Sequence, residues 1–207
     1  RCILRREIRP GSRPNRPAGR ERKRYETSEK TRPGSGADPG YEPNRAGIGG
    51  VLKHFPGYGN NLNTHTGISL DERPYESFME SDFLPFKAGI RAGAPAVLVS
   101  HNIVACMDEA YPASLSAPVH EILRAELGFE GVILTDDLAM EAVAAYSADG
   151  AVAVMALEAG NDLVITTDYR TQIPKVLEAL ESGALSEETI DTACRRVLTW
   201  KQNLGLL

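Results

Sequence analysis

A chain of 207 residues with 42% hydrophobic residues and a formal net charge of −5 has the composition of one globular domain, or one domain with a tail. It has no run of about 18 apolar residues, which excludes a membrane-spanning helix. The three cysteines, Cys2, Cys106 and Cys194, have an odd count and no metal-type spacing, so isolated thiols are expected.

Charge is unevenly spread. Residues 1–46 carry 13 Lys/Arg against 6 Asp/Glu, and residues 47–207 carry 10 against 22. The segment 1–45 is rich in Arg, Pro and Gly and has almost no apolar periodicity after Ile8. It cannot bury enough surface to offset its ordering entropy, so a disordered basic leader is expected. No aromatic interleaving or folded nucleic-acid motif accompanies that charge, so no nucleic-acid partner is expected.

From Ala46 the character changes. GIGGVLKHF reads as a short buried strand ending at Lys53–His54, and PGYGNNLNTHTG reads as a loop. Ser81 and Asp82 precede FLPFKAGIRAGA, a helix pattern with Pro85 in its first turn and Gly93 at its end. AVLVSH, from Ala96 to His101, is a second strand. Ser116 and Pro118 open a helix through HEILRAEL that Gly128 stops. GVILTDD, Gly131 to Asp137, is a third strand. An Ala-rich helical stretch, Leu138 to Ala159, breaks near Ser147 to Gly150. A fourth strand spans Asp162 to Thr166, and helices come next over Thr171–Glu181 and Glu187–Asn203.

Strands alternate with helices, and the strands are continuous apolar runs. That pattern belongs to a parallel sheet covered on both faces, an α/β fold. Polar residues collect where each strand ends, which is where chemistry sits in α/β barrels. Four such units make half of an eight-unit barrel. An open doubly wound sheet also fits the alternation, but GIGG at Gly47–Gly50 lacks the spacing and preceding strand of a dinucleotide site.

Of the strand-end residues, Asp136 and Asp137 are neighbours in a strand, so only one of them can face the barrel mouth. An inward carboxylate there suits a nucleophile or base, and Asp137 suits the N-cap of the next helix. His65 lies in the Gly/Asn-rich loop two residues after Asn63, where an imidazole can act as acid and base near neutral pH. Lys53 and His54 end the first strand and can hold sugar hydroxyls; His101 is a weaker candidate of the same kind. His120 sits within a helix and reads as structural. HExxH, CxxC, GxSxG and P-loop patterns are absent, which removes zinc sites, serine esterases and nucleotide hydrolases of the common kinds.

Three motifs in order, Lys53-His54-Phe55-Pro56-Gly57-Tyr58-Gly59, Asn63-Thr64-His65, and Gly128-Phe129-Glu130-Gly131-Val132-Ile133-Leu134-Thr135-Asp136-Asp137-Leu138-Ala139-Met140, resemble glycoside hydrolase family 3. Within that family they resemble the single-barrel β-N-acetylglucosaminidase (β-N-acetylhexosaminidase) branch. The resemblance runs from about Ala46 to the C-terminus and implies a (β/α)8 TIM barrel. It implies a retaining glycosidase with Asp136 as nucleophile, His65 as acid/base on a loop, and Lys53 and His54 holding hydroxyls of the sugar. It also implies an N-acetylglucosamine-containing carbohydrate as substrate and no metal or organic cofactor. A soluble protein, cytoplasmic or secreted, is expected.

Two departures stand out. Asn63 occupies a position where the family usually has Asp, which would pair with the histidine. The first half of the barrel has no counterpart here, so 46–207 reads as a partial catalytic domain of about four βα units behind an unrelated leader, with an open sheet and exposed apolar edges. A β-glucosidase-type specificity, or a non-catalytic fragment, are the alternatives that this leaves.

Overall fold

The computed structural model describes residues 49–59, 67, 69–144, 146 and 150–207. The expected leader over 1–45, the loop residues Asn63 and His65, and the break at 147–149 lie outside the described residues.

Four parallel strands form one sheet: β1 (Val51–Phe55), β3 (Ala96–Val99), β5 (Val132–Asp137) and β6 (Leu163–Ile165). A second parallel pair joins β2 (Leu70–Asp71) to β4 (Ile103–Val104). In the main sheet the order is β1-β3-β5-β6, so each new strand adds to the same side. A doubly wound sheet instead reverses direction at a switch point. The sequential order therefore selects the barrel-type winding, and the described residues form a partial barrel.

Helices fill the crossovers. α1 (Tyr75–Ser77) runs through a π-helical turn (Phe78–Asp82) into α2 (Phe83–Arg91). A 3-10 turn (Ala113–Leu115) leads to α3 (Ala117–Glu121), which continues as a π-helical turn (Ile122–Glu126). α4 (Glu141–Ala144) and α5 (Val152–Ala159) join β5 to β6, and α6 (Tyr169–Glu181) and α7 (Glu187–Asn203) complete the order. The first helical run starts earlier than expected, at Tyr75 rather than after Asp82. Pro85 lacks the N–H that an unbroken α-helix would direct to the Ser81 carbonyl, and the widened turn lies just before it. The Ser116 cap was legible: its Oγ accepts the Val119 amide at 3.3 Å. Gly93 and Gly128 end their helices with φ +85° and +67°.

The central strands β3 and β5 are buried on both faces, as their apolar runs imply. Val97, Val99 and Ile133 pack with Phe55 against Phe83, Phe86, Val119 and Leu123. On the opposite face Ala96, Leu98, Val132 and Leu134 meet Leu163 and two residues of α7, Val197 and Trp200. β1 corrects the expectation of a buried strand. It is an edge, with Val51 37% exposed and Lys53 also exposed, because among the described residues it pairs only with β3. The other edge, β6, leaves Ile165 36% exposed. Among the described residues Cys106 and Cys194 are unpaired, and both are exposed.

A charged group is buried at the start of β6. The Asp162 carboxylate, with its side chain 2% exposed, accepts from Arg124 Nη2 at 2.6 Å, Arg196 Nη1 at 2.8 Å and the Ile133 amide at 2.8 Å. Arg124 also reaches the carbonyls of Phe129 and Gly131, at 2.9 and 2.7 Å. Burial lowers the pKa of Arg124, and Asp162 acts against that shift.

Candidate active site

Register sets the level of the strand ends. Phe55 pairs with Val99 and Val99 with Thr135, so β1 and β3 end in one row and β5 runs two residues past it, to Asp137. At and just beyond that row runs a belt of buried polar groups, with Ser100, His101, Asn102, Ser114 and Thr135 all 0% exposed. The Ser100 amide and hydroxyl both point to the Phe55 carbonyl at 2.9 Å, and the hydroxyl also reaches Asn102 Oδ1. Asn102 Nδ2 donates to the Gly57 carbonyl at 3.4 Å. This ties the loop after β3 to the loop after β1.

His101 ties the next pair together. Its Nε2 lies 3.1 Å from the Asp137 carbonyl and its Nδ1 2.7 Å from Ser114 Oγ. A carbonyl can only accept, so Nε2 carries the proton, and in the neutral ring Nδ1 takes the Ser114 hydroxyl proton. His101, expected among the residues that hold the sugar, meets protein atoms at both ring nitrogens and braces the end of β5.

The two aspartates separate as strand alternation requires. Asp137 turns its carboxylate to the backbone: Oδ1 accepts the Ala139 amide at 2.9 Å and the Thr167 amide at 3.0 Å. Burial acts to raise the Asp137 pKa, but those hydrogen bonds outweigh it and hold the group below the usual carboxylate range. Ile165, at the end of β6, receives the Leu138 amide on its carbonyl and gives its own amide to Thr135 Oγ1, each at 3.0 Å. Asp136, on the opposite face of β5, is half-buried. Among the described residues its Oδ1 accepts only the Asp137 amide, at 2.9 Å, and nothing takes Oδ2. One carboxylate is structural and the other is presented.

At the β1 end, Lys53 is exposed and His54 is half-buried, its ring edge-on to Tyr58 at 5.2 Å and 88°. The Lys53–His54 and Phe55–Pro56 peptide bonds are cis. Two strand spacings, roughly 10 Å, separate this end from Asp136. Asn63 and His65 fall outside the described residues. Sequence reasoning missed Ser100, Asn102, Ser114 and Thr135 as the buried support. Asn102 could have been suspected beside His101, whereas Ser114 is thirteen residues away with no periodic link. Among the described residues no cluster of His, Cys, Asp and Glu could hold a metal ion, and no helix is long and apolar enough to cross a membrane.

Residues 41–200 match the glycosyl hydrolase family 3 N-terminal domain. The chain belongs to glycoside hydrolase family 3. It is similar to a β-hexosaminidase of Xanthomonas campestris pv. campestris (strain B100), 36% identical over 163 residues, covering 77% of this chain and 47% of that one. It also resembles the solved β-N-acetylglucosaminidase of Paenibacillus sp. str. FPU-7, at 34% identity and TM-score 0.74, over 78% of this chain and 32% of that one. A β-N-acetylhexosaminidase of Beutenbergia cavernae DSM 12333 superposes with TM-score 0.66 at 32% identity, over 73% and 46% of the two chains. This family 3 chain thus spans about half the length of the curated relatives it matches.

Proposed function

We propose that the chain carries the catalytic half of a retaining glycosidase that releases terminal β-linked N-acetylhexosamine, N-acetylglucosamine above all. The observation that carries this reading is the division of labour between the two aspartates. Asp137 is taken up by backbone amides, while Asp136 stands half-buried at a strand end with Oδ2 untaken among the described residues. The names of the relatives support the sugar, and the barrel-type winding supports a site at this end of the sheet.

In the first step Asp136 attacks the anomeric carbon as the glycosidic C–O bond breaks, and His65 gives its proton to the leaving oxygen. A glycosyl-enzyme ester results. In the second step His65 takes a proton from water, the water oxygen attacks the same carbon, and the Asp136 carboxylate leaves. Lys53 and His54 hold the sugar hydroxyls. His101 acts on neither sugar nor water; it keeps Asp136 in place through the Asp137 carbonyl.

An aryl N-acetylglucosaminide compared with the matching glucoside tests the reading. Faster release from the N-acetyl substrate is expected; equal or faster release from the glucoside contradicts the assigned sugar. Asn63 adds a second expectation. An amide oxygen can orient the His65 ring but brings no charge to stabilise its protonated form. Asn63→Asp should therefore raise kcat/KM by about tenfold or more, the equivalent of ~1.4 kcal/mol in the barrier. No gain in that variant rules out a missing dyad charge as a limit on the rate.

A further inference from the structure

A chain of buried hydrogen bonds runs from the end of α5 to the strand end that carries Asp136. Asn161 lies between α5 and β6 and is 2% exposed. Its Nδ2 lies 2.8 Å from the Ser114 carbonyl and 2.6 Å from the Ala156 carbonyl. Carbonyls only accept, so the side-chain amide is oriented with both of its protons donated. The backbone around it is pinned as well. The Asn161 amide donates to the Ala156 carbonyl at 3.1 Å, and the Asp162 amide to the Ile133 carbonyl at 2.8 Å. The donor that reaches Ser114 therefore starts from a fixed point between helix and sheet.

Ser114 carries that position onward. It sits in the 3-10 turn Ala113–Leu115, and its amide donates to the Ser100 carbonyl at 2.9 Å. With its backbone held on both sides, its Oγ stands 2.7 Å from His101 Nδ1. That contact sets the ring. The hydroxyl donates to Nδ1, and the proton of the neutral imidazole stays on Nε2, aimed at the Asp137 carbonyl at 3.1 Å. The same carbonyl takes the Met140 amide at 3.0 Å, and the Asp137 amide donates to Asp136 Oδ1 at 2.9 Å. In the other tautomer the Nε2 lone pair would face the carbonyl oxygen, two buried acceptors against each other.

We infer that Ser114 and Asn161 are positioning residues for the nucleophile, Ser114 by setting the tautomer of His101 and Asn161 by anchoring Ser114. This rests on the glycosidase reading above. Both residues are buried, and they act on Asp136 only through His101 and the Asp137 peptide. A nucleophile held less firmly still has its sugar bound but attacks less often, and a misplacement of about 1 Å can cost ~10²-fold. The loss therefore falls on kcat rather than on KM.

Two measurements on the full chain test this. The first needs no turnover. Nitrogen NMR of the histidine rings should show the His101 proton on Nε2, and in Ser114→Ala a share of it on Nδ1. A proton on Nδ1 in the unsubstituted chain, or an unchanged tautomer in Ser114→Ala, overturns the inference. The second is a cycle of aryl N-acetylglucosaminide kinetics on Ser114→Ala, His101→Gln and the double variant, with a urea melt of each to refer kcat to folded chain. Ser114→Ala should lose at least about tenfold in kcat, with KM changed less than ~threefold. Because Ser114 acts through His101, the double variant should lose no more than His101→Gln alone. Losses that multiply, or a rise in KM with kcat unchanged, overturn the inference while leaving the glycosidase reading intact. Asn161→Ala should show a smaller loss of the same kind, and an unchanged kcat there overturns its part. An unsubstituted chain inactive on every substrate overturns the glycosidase reading instead, and the ring tautomer still decides what Ser114 does to His101.

Discussion

Asp136→Ala should lower kcat for an aryl N-acetylglucosaminide by at least ~10⁴-fold and leave the fold as it is. The first expectation comes from chemistry. A retaining reaction has no covalent step without its nucleophile, and neighbouring groups can only speed the slow background route. The second comes from the surroundings of the side chain. Asp136 is half-buried, and its one described hydrogen bond is to the adjacent Asp137 amide. Its removal therefore costs within ~0.5 kcal/mol, the range of most surface changes away from packed features. Asp137 is the useful contrast. Its carboxylate is given to the loops after β5 and β6 rather than to the sugar, so Asp137→Ala damages stability and activity together. Steady-state kinetics beside a urea melt separate the two. Comparable activity losses in the two variants, each tracking a loss of stability, contradict the assigned roles.

The largest effect on stability is expected far from that rim. Asp162→Ala should destabilise the chain by about 3–5 kcal/mol, the cost of breaking a buried ion pair by removing one partner. Asp162 serves three donors at once, from α7, from the turn after α3 and from the backbone of β5. Without it, two guanidinium groups stay facing each other beside a backbone amide that has lost its acceptor. The whole stability of a domain is about 5–15 kcal/mol, so this change removes a large share of it. The exposed Lys175–Glu178 pair is the control. Glu178 is 71% exposed, and Glu178→Ala should cost no more than ~0.5 kcal/mol. A shift in the urea midpoint is the measurement. An Asp162→Ala variant as stable as Glu178→Ala rules out the cluster as a bond between α7 and the sheet.

Much of this architecture could be read in the chain before any coordinates, and the reasons differ by element. β3 and β5 are apolar runs bounded by glycine and polar residues, and a strand buried on both faces needs no more. The Ser116 cap and the span of α7 are set by local chemistry. β2 and β4 escaped because two residues carry no periodicity. The burial of β1 was overestimated, since VLKHF is apolar enough for a core but burial is set by neighbours, and here one side has none among the described residues. The early start of the first helix was hidden by Pro85, which reads as a first-turn residue and in fact sits within a longer helical run.

The site divides in the same way. Strand alternation was enough to separate Asp136 from Asp137. It could not show that His101 meets Ser114 and the Asp137 carbonyl, because those partners are distant in sequence. The ion cluster in which Arg73 pairs with Asp71 and Asp82, each at 2.8 Å, was equally invisible: three charges in a polar stretch look like a solvated surface until a fold brings them against Gly57 and Gly59. His65 and Asn63 are assigned by motif resemblance, since a loop histidine and asparagine carry no periodic signal of their own.

The most direct measurement is the mass of the chain after reaction with a slow-turnover fluorinated aryl glycoside. One sugar should remain attached per chain, on the peptide that contains Asp136, and the label should vanish in Asp136→Ala. A label on Asp137 or any other carboxylate, or steady hydrolysis of the natural-type substrate with no label at all, would contradict the covalent role given to Asp136.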